Sequence, residues 1–216
     1  MSEILTEISE QLQKGKAKLV KELVAKALDE GVPAIEILQS GLLPGMDIIA
    51  EKFKNNEVYV PEVLIAARAM SMGTAVLKPH LDEGGSVSVG KAIIGTVKGD
   101  LHDIGKNLVR MMLEGKGIEV VDLGVDVSPE QFLEAFKAEN ADVVGLSALL
   151  TTTMGEMKNT VQAFVDAGLR DDVVIMVGGA PITETFCKEI GADIYTADAA
   201  SAAEAAKAAI LAKRAA

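Results

Sequence analysis

One segment decides how this chain folds, Gly95-Thr96-Val97-Lys98-Gly99-Asp100-Leu101-His102-Asp103-Ile104-Gly105-Lys106-Asn107. The apolar run at residues 92–97 predicts a buried strand, and residues 106–114 predict a helix. The polar residues between them therefore lie in a strand-to-helix loop. In an open α/β sheet such loops gather at the carboxyl ends of the strands, where ligands bind.

Within this loop a carboxylate and an imidazole stand two residues apart. Asp100 can accept the proton of one ring nitrogen of His102, which leaves the other nitrogen free to bind a metal. His80 and Cys187 are the only other histidine and cysteine, so the sequence excludes a zinc site built on several such ligands. A metal bound here would have to arrive inside its own macrocycle.

Two hydrophobic patterns divide the chain into domains. Residues 1–82 carry apolar residues at helical spacing and predict a bundle of five helices, and residues 83–90, with Gly84 and Gly85, predict a linker. In residues 91–216, short apolar runs alternate with helical segments. The strands are predicted at 92–97, 118–123, 143–147, 173–177 and 194–196, and the helices at 106–114, 129–138, 154–167, 183–190 and 200–213. This alternation predicts an α/β domain with a doubly wound, five-stranded parallel sheet, similar to Rossmann and flavodoxin folds.

Composition limits the possible partners and compartment. The chain has 216 residues, of which 49% are hydrophobic, so it can bury a proper core. Its net charge of -11 argues against nucleic acid or an anionic membrane as a partner. The acidic start, residues 1–7, is unlike a signal peptide, and no apolar run reaches membrane-spanning length, so we expect a cytoplasmic protein.

The string Asp100-x-His102-x-x-Gly105 resembles the signature of the cobalamin-binding domain of methionine synthase and of the corrinoid proteins of methyltransferase systems. In that family the histidine replaces the cofactor's own base as the lower cobalt ligand. The resemblance therefore implies that His102 binds cobalt and that Asp100 orients it. It also places Gly99, Asp103, Ile104 and Gly105 at the cofactor.

Three further strand ends resemble the same family. Ser147 matches a second signature, in which a serine supports the Asp-His pair, and the glycines of Gly178-Gly179-Ala180 match a third. The resemblance implies a cleft for the cofactor's nucleotide tail lined by Ser147, Leu149, Thr151, Gly178, Gly179 and Ala180. It places Tyr195, Asp198 and Ala199 beside the corrin edge. The threonines at 151–153 are equally suited to capping the next helix.

The helical part also resembles the family, in which a helical cap precedes the sheet domain. Residues 57–63 are similar to the cap segment that leans on the cofactor's upper face, which implies that Tyr59 shields the methyl group on cobalt. The alternative for Tyr59 is a hydrophobic staple at the start of the fifth helix.

The resemblance implies a corrinoid methyl carrier that does not turn over alone. A substrate-specific methyltransferase would place a methyl group on Co(I) of the bound cobalamin. A second methyltransferase would pass it from methyl-Co(III) to a thiol or tetrahydrofolate, and a reductive activase would restore the cofactor. The methyl donor, whether methylamine, methanol, quaternary amine or methoxyaromatic, is chosen by a partner.

Three alternatives stay open. The small subunit of an adenosylcobalamin mutase shares the sheet domain but generally lacks the helical cap. A cobalamin-dependent regulator would add a DNA-binding helix-turn-helix, for which the chain has neither room nor basic surface. A flavodoxin-like interaction module would bind no corrinoid at all.

Overall fold

Residues 3–81 and 88–215 are the part of the chain that the computed structural model describes. They divide into two units, an N-terminal helical unit that includes Gly115–Gly117, and a sheet unit. The predicted linker residues 83–87 lie outside the described residues. Gly90, which we expected in the linker, is instead the first residue of a strand. It is buried, and a Cβ there would lie 2.6 Å from Cγ2 of Ile210, so close packing explains the glycine.

The N-terminal unit consists of helices with apolar faces, as predicted. They are α1 (Glu3–Gln13), α2 (Ala17–Asp29), α3 (Ala34–Ile37), α4 (Leu43–Lys54) and α5 (Val60–Leu81). Ile8, Leu12 and Val24 are fully buried among them. The third and fourth helices differ from the prediction because a π-helical turn, Leu38–Leu42, joins them directly. Pro44 follows that turn and has no N–H for a regular helical hydrogen bond to the carbonyl four residues before it.

Helix α5 differs from the expectation that no apolar run reaches membrane-spanning length. By length and hydropathy alone its 22 residues would also suit a membrane-crossing helix. Seven of its residues are buried, among them Val63, Met70 and Leu77. Apolar composition of this kind is equally typical of the core helix of a bundle.

The sheet unit contains five parallel strands and five main helices, so the predicted doubly wound fold is confirmed. The strands are β1 (Gly90–Thr96), β2 (Ile118–Asp122), β3 (Val143–Ser147), β4 (Val174–Gly178) and β5 (Ile194–Tyr195). The helices are α6 (Ile104–Gly115), α7 (Pro129–Glu139), α8 (Met154–Asp166), α9 (Glu184–Ile190) and α10 (Ala199–Ala215). The strand order is β2-β1-β3-β4-β5.

This strand order determines where a ligand can bind. From β1 the chain crosses first to β2 on one side and later to β3 on the other, so the loops after β1 and β3 leave the sheet in opposite directions. Thr96 and Ser147 pair at the ends of those two strands. A crevice between such loops is the usual ligand site of an open α/β sheet.

The helices that flank this sheet begin and end at recognisable capping residues. Ser128 and Gln131 form a reciprocal capping box at the start of α7, and Asn140 ends that helix in the left-handed conformation. Thr183 caps α9, which ends at the left-handed Gly191. These local signals fix where the crossover helices start and stop relative to the strands.

Candidate functional site

The carboxylate of Asp100 is the centre of the candidate site. Asp100 follows β1 and is fully buried. Its Oδ1 accepts a hydrogen bond from Nδ1 of His102 at 2.7 Å and from the backbone N–H of His102 at 3.1 Å. The structure therefore brings together the two residues that the spacing predicted as a pair.

The second oxygen of Asp100 is held by the loop that follows β3. Oδ2 accepts hydrogen bonds from the N–H groups of Leu149 at 2.7 Å and Leu150 at 3.2 Å. The hydroxyl of Thr153 donates a third at 2.9 Å. One carboxylate thus links the loops on either side of the crevice between β1 and β3.

These contacts fix the charge of Asp100 and the tautomer of His102. Burial alone raises the pKa of Asp100, but the hydrogen bonds from His102, Leu149 and Thr153 outweigh it and hold the pKa of this carboxyl well below its usual range. An ionised carboxylate can only accept hydrogen bonds, so Nδ1 of His102 carries the proton. In the neutral form of the ring, Nε2 then has a free lone pair, as a metal ligand requires.

The surroundings of His102 suit a flat, largely apolar group that contains a metal. The side chain of His102 is 51% exposed, and the hydroxyl of Thr96 donates to its carbonyl oxygen at 2.9 Å. Leu101 and Ile104, on either side of it in sequence, are 71% and 79% exposed. Leu149 is also exposed. Large exposed apolar side chains close to His102 in sequence are a surface that an apolar ligand could cover.

The paired glycines at the end of β4, Gly178 and Gly179, differ in the space around them. A Cβ on Gly179 would lie 1.8 Å from the carbonyl oxygen of Ala148, and its φ of +134° is open only to glycine. A Cβ on Gly178 would meet no atom within 4 Å. Gly179 therefore lets two strand ends approach, whereas Gly178 leaves open space beside the sheet.

Several predicted residues have contacts other than those expected. Asp100 receives no hydrogen bond from Ser147 within the described residues, so the serine does not support the Asp-His pair directly. Thr151 is exposed, and the partner of Asp100 is Thr153, two residues on. Nor does the Thr153 hydroxyl cap α8. The run of three threonines contains no local signal that would single out the third.

The remaining predicted residues lie at the carboxyl edge of the sheet or at helix starts. Gly99 has a φ of +80°, as a tight turn after β1 needs. Asp198 directly precedes α10, and its carboxylate accepts hydrogen bonds from the N–H and the hydroxyl of Ser201, both at 2.8 Å. The others fall into three groups by exposure: Asp103, Ile104, Gly105 and Ala180 are exposed, Tyr195 is half-buried, and Ala199 is buried.

Tyr59 lies in the N-terminal unit, just before α5. The carboxylate of Glu62 accepts a hydrogen bond from the Tyr59 N–H at 3.0 Å. Tyr59 is 66% exposed, which does not fit a staple packed against its own helix. Its role over a cofactor stays a prediction.

An ion pair between a buried lysine and a half-buried aspartate, which lies beside the site, was not predicted from the sequence. Lys106 is 3% exposed, and its Nζ lies 2.5 Å from Oδ1 of Asp122 at the end of β2. Burial raises the pKa of Asp122, but Lys106 and the N–H of Gly124 outweigh it and lower that pKa overall. A lysine in the first turn of a helix opposes the helix dipole, and this was the signal that it needs a carboxylate partner.

Comparisons with known proteins cover nearly the whole chain. A family described as B12 binding domain matches residues 90–207, and a second of the same description matches residues 4–78. The dimethylamine corrinoid protein of Methanosarcina barkeri is 42% identical over 206 residues, 95% of this chain and 96% of that protein. The trimethylamine corrinoid protein of the same organism is 40% identical over 210 residues, 96% and 97% of the two chains. The solved methanol:cobalamin methyltransferase complex of M. barkeri aligns with a TM-score of 0.87 at 28% identity, over 97% of this chain and 80% of that one.

The charge of Asp100 should make the apoprotein's stability depend on pH. Its folded pKa lies below the unfolded value of about 4, so its contribution is fully present above the unfolded pKa and is lost as the pH falls from there through the folded pKa. Asp100→Asn should lower the free energy of unfolding by about 1–3 kcal/mol near neutral pH, and by less in acid. Urea unfolding at several pH values measures this.

Asp103→Asn, at an exposed carboxyl in the same loop, is the control. A difference between parent and Asp100→Asn that does not change with pH would contradict the charge assignment.

The two glycines at the end of β4 should respond differently to an added methyl group. Gly179→Ala should lower the free energy of unfolding by at least about 1–3 kcal/mol, because it forces a glycine-only conformation and a backbone clash. Gly178→Ala should change it by less than about 0.5 kcal/mol. Thermal or urea unfolding of both variants tests this, and equal stability of the two would show that the close approach to Ala148 is unnecessary.

Proposed function

The chain belongs to the corrinoid proteins that carry a B12-binding domain, and on that premise we propose that it is the methyl carrier of a methyltransferase system. The observation that carries the proposal is the pairing of His102 with a fully buried, ionised Asp100. When bound, the corrinoid supplies a cobalt ion that takes up and releases the methyl group. The chain's own residues hold and orient the cofactor.

His102 would bind the cobalt through Nε2. Asp100 keeps the proton on Nδ1 and restricts rotation of the ring, and Leu149, Leu150 and Thr153 keep Asp100 in place. A carboxylate behind a metal-ligating histidine also raises the basicity of the ring. Since all of these contacts lie within the protein, the ring nitrogen is oriented before the cofactor arrives.

The rest of the cofactor would lie on the carboxyl edge of the sheet. We assign the nucleotide tail to the space beside Gly178, where a side chain is absent and no other atom comes near. The flat ring would cover the exposed Leu101 and Ile104. Removing this apolar surface from water favours binding without requiring further polar contacts.

We propose a methylated amine as the source of the methyl group. Support comes from relatives named for dimethylamine and trimethylamine, which are 42% and 40% identical over almost the full length. The methanol complex matches at 28% identity. A substrate-specific methyltransferase would deliver the methyl group, and a second would take it to a thiol or tetrahydrofolate. A reductive activase would restore the cofactor.

Ligation by His102 can be tested by electron paramagnetic resonance of the protein loaded with cobalamin and reduced to Co(II). Labelling all histidines with ¹⁵N should change the splitting from the axial nitrogen, and His102→Ala should abolish that change. His80→Ala removes the other histidine and should behave like the parent. Asp100→Asn should weaken cobalamin binding by about 10 to 100-fold. If the splitting in the parent protein is the same with and without the ¹⁵N label, His102 is not the ligand.

The methyl source can be tested by reducing the corrinoid-loaded chain to Co(I) with a chemical reductant and mixing it with methyltransferases specific for mono-, di- and trimethylamine, and for methanol. One of the amine enzymes, given its amine, should change the visible spectrum of the bound cofactor. The loaded chain with the amine alone should show no change. Methylation only by the methanol enzyme would reject the amine assignment, and turnover without any partner would reject the carrier role.

A further inference from the structure

The segment after β2 runs alongside the loop that carries His102. It contains none of the residues that the sequence assigned to the cofactor. The N–H of Leu123 donates to the carbonyl of Ile94 at 2.8 Å, and the N–H of Thr96 donates to the carbonyl of Gly124 at 2.9 Å. Val127 then forms an isolated parallel bridge with Val97. The pairing between the chains around β1 and β2 thus continues beyond both strand ends.

Asp126, within this segment, holds the backbone of the site at two points. Its Oδ1 accepts a hydrogen bond from the N–H of Gly99 at 2.7 Å. Its own N–H donates to the carbonyl oxygen of Asp100 at 3.1 Å. The N–H of Asp100 donates to the carbonyl oxygen of Val97 at 3.1 Å. Two of these three backbone contacts around Asp100 therefore depend on Asp126.

The backbone of Asp126 is itself unusual. Its φ is +56°, a left-handed conformation that side-chain-bearing residues rarely adopt. The other residues with this property in the described ranges, glycines aside, are Asn56 and Asn140. Asn140 ends α7, and Asn56 follows α4, where left-handed residues are common. Asp126 ends no helix, so its strain is held by its contacts with the His102 loop.

We propose that Asp126 is a positioning residue for the cobalt ligand, an inference that rests on the proposed function. The carboxylate of Asp100 is fixed by the loop after β3, and its main chain is fixed by Asp126. The ring of His102 hydrogen-bonds to that carboxylate, so a shift of the Asp100 main chain moves the partner of Nδ1. Asp126 thereby helps to keep the proton on Nδ1 of His102 and to hold Nε2 in the orientation that binding cobalt requires.

Three substitutions at this position separate its two properties. Asp126→Asn keeps an acceptor oxygen and tolerates the left-handed conformation. Asp126→Gly accepts the conformation but has no acceptor for the Gly99 N–H. Asp126→Ala loses the acceptor and also strains the backbone. Asn140→Ala introduces the same kind of strain at the end of α7, before the amino end of β3, and is the control for lost stability alone.

The first measurement uses the apoprotein and needs no cofactor. Nitrogen NMR of ¹⁵N-histidine protein reports which ring nitrogen of His102 carries the proton. The parent, Asp126→Asn and Asn140→Ala should hold the proton on Nδ1, whereas Asp126→Gly and Asp126→Ala should show a mixture of tautomers. Asn140→Ala should nevertheless be less stable than the parent to urea.

The second measurement is cobalamin affinity by spectral titration. Asp126→Gly should bind about 2 to 10-fold more weakly than the parent, the effect expected for one lost hydrogen bond, and Asp126→Asn should bind as the parent does. Parent-like tautomers and affinity in Asp126→Gly would overturn the positioning role. Because the labelled parent protein tests ligation by His102 separately, a failure of the proposed function can be distinguished from a failure of this inference.

Discussion

A single buried carboxylate, that of Asp100, is the constraint on which the rest of the site depends. A charge removed from water is costly unless hydrogen-bond donors surround it. Asp100 has five donors: the ring and backbone N–H of His102, the N–H groups of Leu149 and Leu150, and the hydroxyl of Thr153. The last three belong to the loop after β3, so they reach the carboxylate only if that loop and the loop after β1 are held in fixed positions.

The sheet topology supplies that fixed arrangement. Because β1 lies between β2 and β3, the Asp100 loop has a neighbour on each side. On the β3 side, N–H groups and a hydroxyl hold the carboxylate, and on the β2 side Asp126 contacts the main chain. Lys106 and Asp122 add an ion pair between the start of α6 and the end of β2. The half-exposed side chain of His102 is thus oriented by contacts that come from both neighbours of its strand.

The fold was predictable from sequence because buried parallel strands are continuous apolar runs and their helices are amphipathic. The pairing of Asp100 with His102 was predictable because both lie in one short loop. The contacts made by backbone groups were not predictable, because the pattern of side chains does not indicate where the N–H groups of Leu149 and Leu150 point. Thr153 could not be chosen over its two neighbours, because the choice depends on how the chain turns into α8. The left-handed conformation of Asp126 likewise follows from contacts with a distant segment rather than from its sequence neighbours.

The source of the five donors has a further consequence for how the site works. All of them belong to the protein, so arrival or loss of a corrinoid leaves the buried charge of Asp100 fully hydrogen-bonded. Under the proposed function, binding would change the environment of exposed groups, namely Leu101, Ile104 and the ring of His102. The contacts of Asp100 would therefore contribute to the stability of the fold and, through His102, to cofactor affinity, and the exposed apolar side chains would add to that affinity. On this proposal the orientation of the His102 ring is set by the sheet and its loops before the cofactor binds.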